Sequence, residues 1–339
     1  MNYKKKGTQT IIFSEPIKIS SAASVTGPKE GKGPVAKEFD VVLSDEYAGA
    51  DSWEKAESLI VEKTIKIVCE KASLTKDKID FALAGDLLNQ EIGSAFGYRE
   101  SEIPFIGLFG ACSTFGEAIG LGSCLVDGRF AENIIASASS HFCAAERQFR
   151  FPLELGSQRP PTSTWTVTGA GAVVLSKNTK GSGAFVTGAT FGKIIDLGVK
   201  DANNMGAAMA PAAADTVLAF LRDTKTDPQT FDKIITGDLG YLGGELFLDI
   251  LSKEGINISN YTDCGIEIFD KKTQDTHCGG SGCGCSATVF CARFYPKLVS
   301  GEIEKVLFVP TGALMSATSS QQGETIPSIA HLVVVEHRR

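Results

Sequence analysis

The sequence predicts an α/β fold made of two similar halves, and three observations carry that prediction. Apolar runs of strand length alternate with amphipathic stretches of helix length. Several of these segments recur, in the same order, later in the chain. Glycine is abundant, 36 of 339 residues, and clusters as Gly243-Gly244 and Gly279-Gly280-Ser281-Gly282, where turns are tight or backbones cross.

Trp53 to Lys71 reads as an amphipathic helix, with Ala56, Leu59, Ile60, Lys63, Ile67 and Val68 near one face. Ile79 to Ala84 reads as a buried strand, followed by Gly85-Asp86-Leu87. Phe105 to Phe109 is a further buried-strand-like run. Thr114 to Val126 is a glycine-containing helix, capped at its start by Ser113 or Thr114. Asn133 to Ala138 and Gly171 to Leu175 are two more buried strands. Strands buried on both faces imply a sheet covered by helices on each side.

The recurrences begin with Phe81 to Leu87, which resembles Lys233 to Leu239, both strands ending in Gly-Asp-Leu. Ala111-Cys112-Ser113 resembles Gly284-Cys285-Ser286, each opening a helix. Those helices end at similar segments that start at Gly128 and Gly301. Gly171 to Leu175 resembles His331 to Val335. Four matches in one order point to duplication, with halves at 8–180 and 181–339. The first half carries extra residues between Ser139 and Thr164, too irregular for one element and expected to run over a surface.

Composition excludes several classes. Charged residues are 22% and hydrophobic ones 43%, a globular balance. A net charge of −7 argues against a nucleic-acid partner, which needs a basic surface. No apolar stretch reaches the roughly 20 residues of a membrane helix. Lys4-Lys5-Lys6 is followed by no apolar core, so a secretion signal is not expected there; the lysines read as a solvated end, the alternative being a weak pull toward an anionic membrane surface. Nine cysteines, an odd count in a long chain, read as reduced thiols.

Cys112 is the sharpest chemical feature. It follows a strand-like run and a glycine, and a long helix begins there. Unpaired N–H groups and the helix dipole at such a start favour a thiolate, and would also hold a carboxylate. The plainer reading is a small buried hydrophobe. Cys278, Cys283, Cys285 and Cys291, near His277, lack the paired spacing of zinc knuckles, so no metal is expected. They read as core residues in a glycine-rich turn that crosses the matching turn of the other half. His277 reads as a surface histidine, His331 and His337 as structural or exposed. Gly169-Ala-Gly-Ala is followed by a strand, not a helix, so it is no dinucleotide fingerprint; no cofactor is expected.

A duplicated α/β chain with Gly110-Ala-Cys-Ser at a helix start, and with Thr168-Gly-Ala-Gly-Ala-Val-Val-Leu, resembles the thiolase superfamily, which includes the ketoacyl-acyl-carrier-protein synthases. It is most similar to one branch, the stage V sporulation protein AD family of endospore-forming bacteria. The runs that carry this are Gly107 to Thr114, Ala136 to Arg150, Gly279 to Ala287, Gly312-Ala-Leu-Met-Ser and Gln321-Gln-Gly-Glu. The resemblance spans nearly the whole chain. It implies a thiolase-like five-layer α/β/α/β/α sandwich and a homodimer. It also implies binding of dipicolinic acid or its calcium chelate, for loading the developing spore and release at germination. Partners would be other proteins of a sporulation membrane assembly, with the chain peripheral at the spore or forespore inner membrane.

Superfamily enzymes pair the nucleophilic cysteine with a second-half histidine. Here that position falls on Gly237-Asp238-Leu239, and the later turn, His277 to Cys285, lacks the usual Gly-Asn. A thiol without a base or oxyanion donors is a poor acyl-transfer catalyst. The expectation is therefore a non-enzymatic binder; the alternatives are an acyltransferase or condensing enzyme using Cys112, and a structural subunit with a vestigial pocket. Expected ligand contacts are Cys112, Ser113, His141, Arg147, Arg150 and Gly282. Arg159 lies in the same excursion, where guanidinium groups suit a dicarboxylate.

Overall fold

A computed structural model describes residues 4–149, 159–178 and 180–339. Ten strands form the main path of its twelve-stranded central sheet; the two-residue strands Lys5–Lys6 and Val41–Val42 pair only with the first of them. The ten are β1 (Thr10–Thr26), β2 (Phe81–Gly85), β3 (Phe105–Gly107), β4 (Asn133–Ser140) and β5 (Gly169–Ser176), then β6 (Gly183–Thr190), β7 (Lys233–Thr236), β8 (Tyr261–Asp263), β9 (Lys305–Val309) and β10 (Leu332–Arg338). From one edge the order is β3-β2-β4-β5-β1, and then β6-β10-β9-β7-β8. The second five mirror the first five outward from the seam. At that seam β1 and β6 pair antiparallel, Lys18 opposite Phe185 and Thr10 opposite Thr190. The Gly-Asp-Leu repeat thus ends two equivalent strands, β2 and β7.

Side-chain alternation explains how such a sheet is covered. Along β5, Ala170, Ala172 and Val174 join a core with Ile60, Val61 and Ile65, while Val173 and Leu175 face the opposite way. Along β10, Leu332 and Val334 join a second core with Met209 and Phe220, while Val333 and Val335 again face inward. The outer cores lie under α1 (Trp53–Ala72) and α5 (Met205–Thr224). The inner core holds α3 (Thr114–Asp127) and α8 (Cys283–Val289), between the two half-sheets. The result is the five-layer α/β/α/β/α arrangement. Phe115 of α3, Phe290 just past α8 and Phe308 of β9 are fully buried there, with ring centroids 4.6 to 6.1 Å apart. Each contributes about 1.5–3 kcal/mol by burial.

The remaining α-helices among the described residues are α2 (Ile92–Tyr98), α4 (Phe142–Phe149), α6 (Gly240–Lys253), α7 (Cys264–Ile268), α9 (Tyr295–Ser300) and α10 (Ala317–Gln321). Helix α1 starts at Ser52, whose side chain accepts from the Lys55 N–H, and ends at Ser73 with φ +54°. Two expectations need correction. Neither Ser113 nor Thr114 caps α3 through its side chain: Ser113 is already helical in φ/ψ, and its hydroxyl donates to the Gly110 carbonyl at 2.6 Å. Phe105–Gly107 is an edge strand, so Phe105 and Phe109 stay partly exposed where burial was expected. The run after Ser139 opens with α4, and residues 150–158 lie outside the described residues. The α3 helix ends at Asp127 and the second-half helical run at Ser300, each followed by glycine, as the repeat predicts. The second run begins at Cys283, about one turn earlier than the repeat predicts.

Candidate functional site around Cys112

Cys112 sits on a tight turn between β3 and α3. Ala111 carries a φ of +49°, a conformation a non-glycine residue adopts only when its surroundings enforce it. Several bonds do so. The Thr114 hydroxyl donates to the Ala111 carbonyl at 2.7 Å and accepts from the Gly110 N–H at 3.1 Å. From the other half, the Cys283 thiol donates to the Ala111 carbonyl at 3.0 Å. Gly312 presses on the same turn. A Cβ there would lie 2.1 Å from the Gly110 carbonyl oxygen and 3.1 Å from the Ser113 nitrogen, so two backbones would have to part. Gly312→Ala should therefore cost about 2–4 kcal/mol, read as a lowered urea midpoint. An unchanged midpoint would show the turn is not clamped.

Asp238 lies behind the thiol. Its carboxylate is fully buried and accepts from the Thr311 hydroxyl at 2.6 Å, the Ser281 hydroxyl at 2.8 Å and the Gly282 N–H at 3.1 Å. It also shares a hydrogen bond with Cys112. Burial first, then the Asp238 charge and then Cys283, push the Cys112 thiol well above its usual range. This corrects the thiolate expectation. The partial positive charge of the helix start is outweighed by desolvation and by a carboxylate in contact. At neutral pH Cys112 is a thiol.

A cavity of about 80 Å³ opens in front of it. Leu87, Met205, Met209 and Met315 form its apolar side; Cys112, Glu146, Thr164, Thr166 and Ser281 form its polar side. The wall is a short parallel pairing, Trp165 with Gly280 and Thr166 with Ser281. Phe142 of α4 stacks on Trp165 at 3.8 Å, fixing the helix that carries Ala145 and Glu146 to that wall. None of the described lining residues is Lys, Arg or His.

Of the residues expected from sequence, Cys112 lines this cavity, and Gly282 adjoins it through its bond to Asp238. Gly282 has φ +98°, and a Cβ would lie 2.7 Å from the Ser140 hydroxyl. Ser113 is buried in the turn. His141 points elsewhere: its Nε2–H donates to the Glu46 carbonyl at 2.7 Å, and its Nδ1 accepts the Ala144 N–H at 3.4 Å. Burial pushes that imidazole below its usual range, so it is a neutral ring fixing the start of α4. Arg147 pairs with Glu54 through two nitrogens and lies over Trp53. Arg159 pairs with Asp275 and lies over Trp165. Arg150 lies outside the described residues.

The second-half cysteines are dispersed. Cys278, Cys283 and Cys285 donate to three different carbonyls, of Pro161, Ala111 and Gly237. Among the described residues no three His, Cys, Asp or Glu side chains are grouped to hold a metal. His277 is half-buried, with Nε2 at 3.0 Å from Asp275. Sequence reasoning placed Asp238 near the site but missed Glu146 and the threonines. Glu146 lies on α4, inside a segment read as too irregular for one element, and Thr166 on a two-residue strand too short to carry a periodic signal.

A family model described as Stage V sporulation protein AD (SpoVAD) matches residues 7–336. The chain belongs to the stage V sporulation protein AD family. Stage V sporulation protein AD of Bacillus subtilis (strain 168) is 46% identical over 334 residues, covering 98% of each chain. Solved structures confirm the fold of this family member as thiolase-like. OleA of Xanthomonas campestris superposes with a TM-score of 0.60 at 10% identity, over 96% of this chain and 99% of that one. 3-Oxoacyl-[acyl-carrier-protein] synthase III of Aquifex aeolicus VF5 gives 0.56 at 11% identity, over 94% and 99%. Acat5 thiolase of Ascaris suum, solved with coenzyme A, gives 0.57 at 11% identity, over 96% and 100%. The family is one of sporulation, and among the described residues no helix is long and apolar enough to cross a membrane.

Proposed function

We propose that this protein binds dipicolinic acid, or its calcium chelate, in the Cys112 cavity, for loading the developing spore and for release at germination. The chain would act as a peripheral partner of other sporulation proteins at the spore inner membrane. The observation that carries the binding reading is Asp238. It stands in contact with the candidate nucleophile and, after burial, is the next largest cause that keeps the thiol protonated, which is the wrong electrostatics for acyl transfer. The same carboxylate would oppose a developing oxyanion.

The described lining offers hydroxyls and a thiol that can donate to a carboxylate. Calorimetric titration with dipicolinate, with and without calcium, tests this; heat of binding should be seen in at least one of the two. Cys112→Leu, which fills the cavity, should weaken binding about 10- to 150-fold, the loss of one or two contacts. Wild-type affinity in Cys112→Leu would put any ligand elsewhere. A stable acyl adduct on Cys112 after incubation with acetyl-CoA would overturn the binder reading in favour of the condensing-enzyme one.

A further inference from the structure

We propose that the face at the C-terminal end of α3, opposite the Cys112 cavity, docks on an anionic lipid surface. Three shallow grooves adjoin there. One, of about 530 Å³, is lined by Lys18 and Lys177. The next, of about 340 Å³, takes Lys177 again with Lys4 and Arg129. The third, of about 580 Å³, shares Lys4 and adds Lys5 and Lys193. Shared residues make the three grooves one continuous basic strip. Lys18 also donates to the Lys180 carbonyl at 2.5 Å, which draws another lysine to its border.

The carboxylates of this face do not neutralise it. Asp127 is 5% exposed and is occupied by Lys4 at 2.8 Å. Glu132 approaches Lys177 only to 3.9 Å, and Glu15 lines one groove. The strip is therefore net positive on a chain whose overall charge is −7. A negative remainder would be repelled from the surface that the strip is drawn to, which sets the orientation. Large apolar side chains flank the lysines. Phe130, beside Arg129, is 75% exposed, and Ile194, beside Lys193, is 64% exposed. Basic residues interleaved with exposed apolar ones are the chemistry of an interfacial anchor.

The fold gives this face its direction. Helix α3 spans 14 residues, about 21 Å, with Cys112 just before its start and Asp127 at its end. Strand β4 likewise runs from Asn133 in the first groove to Ser140, whose hydroxyl accepts the Gly284 N–H. A chain seated on lipid by the strip would hold its cavity open on the far side. This inference stands on the surface alone and does not depend on which ligand the cavity takes.

Sedimentation of the full chain with vesicles tests it. Vesicles of phosphatidylcholine alone should not bind; those with about one-third phosphatidylglycerol should, at about 50 mM salt and much less at about 500 mM. Each lysine near the surface is worth about fivefold in partition. Reversing three, Lys18→Glu, Lys177→Glu and Lys193→Glu together, should lower it more than a hundredfold with circular dichroism unchanged. Phe130→Ser should lower it several-fold. Lys63→Glu with Lys66→Glu, on exposed α1 positions away from the strip, should leave it unchanged. Absent binding to the anionic vesicles, equal binding by the triple variant, or an effect of the α1 reversals as large as the triple's would overturn the proposal.

Discussion

Asp238→Asn should raise the alkylation rate of Cys112 by iodoacetamide about tenfold at neutral pH, and should cost about 1–3 kcal/mol of stability. The rate follows from the thiol's surroundings. Burial is the largest cause of its raised pKa and remains, but the second cause, the Asp238 charge, is removed. The stability loss follows from the donors. Ser281 and Gly282 both donate to one carboxylate oxygen, and Thr311 to the other. An amide offers one acceptor atom and two donors. With its oxygen toward Ser281 and Gly282 the amide keeps both bonds, and the Thr311 hydroxyl must rotate to accept from the NH2; the cost is that charge-assisted bonds become neutral ones. Peptide mapping after limited labelling reads the rate, and denaturant unfolding reads the cost. If Cys112 in the variant stays as inert as in the wild type, Asp238 is not what keeps it protonated.

The second large effect is a pH dependence set by Glu30. This carboxyl is fully buried below Thr168; one oxygen accepts the Thr168 N–H at 3.0 Å and the other has no partner. Burial pushes its pKa up to about 8, the Thr168 bond and Lys29 opposing and Glu46 adding to the rise. The folded value lies above the ordinary one. Its stability contribution is therefore complete below pH 4.5 and is lost as pH rises toward 8 and beyond. At pH 8 the loss is about 4 kcal/mol. Glu30→Gln keeps an acceptor for Thr168 and cannot ionise. It should match wild type at pH 5 within about 1 kcal/mol and exceed it by several at pH 8.5. Parallel stability curves for the two proteins across that range would contradict a raised Glu30.

Much of the molecule is legible in one dimension because its order is local and periodic. Apolar runs at Ile79–Ala84 and Asn133–Ala138 read as strands buried on both faces. The amphipathic stretch after Ser52 can only be a helix on a sheet. The repeated Gly-Asp-Leu, and the glycines that follow both inner helices, disclose the duplication, since equivalent turns impose equivalent backbone demands. Cys112 stands out for the same reason: a strand, a turn and a helix start are all visible around it. The electrostatic character of Cys112 is not visible there. The helix start, taken alone, predicts a thiolate. Only the packing of the second half, which drives Asp238 and Cys283 against the turn, reverses that, because desolvation and contact charges act through space and outweigh a dipole acting along the chain. His141 and Arg147 follow suit: their spacing places them near the cavity, and Glu46 and Glu54, far away in sequence, turn them to other partners. Scattered basic residues, Lys4, Lys5, Lys18, Arg129, Lys177 and Lys193, become one strip only when β1, β5 and the end of α3 meet. Local periodicity determined the layers and the cysteine; contacts between distant segments decided what the cysteine is and which way the charged side chains face.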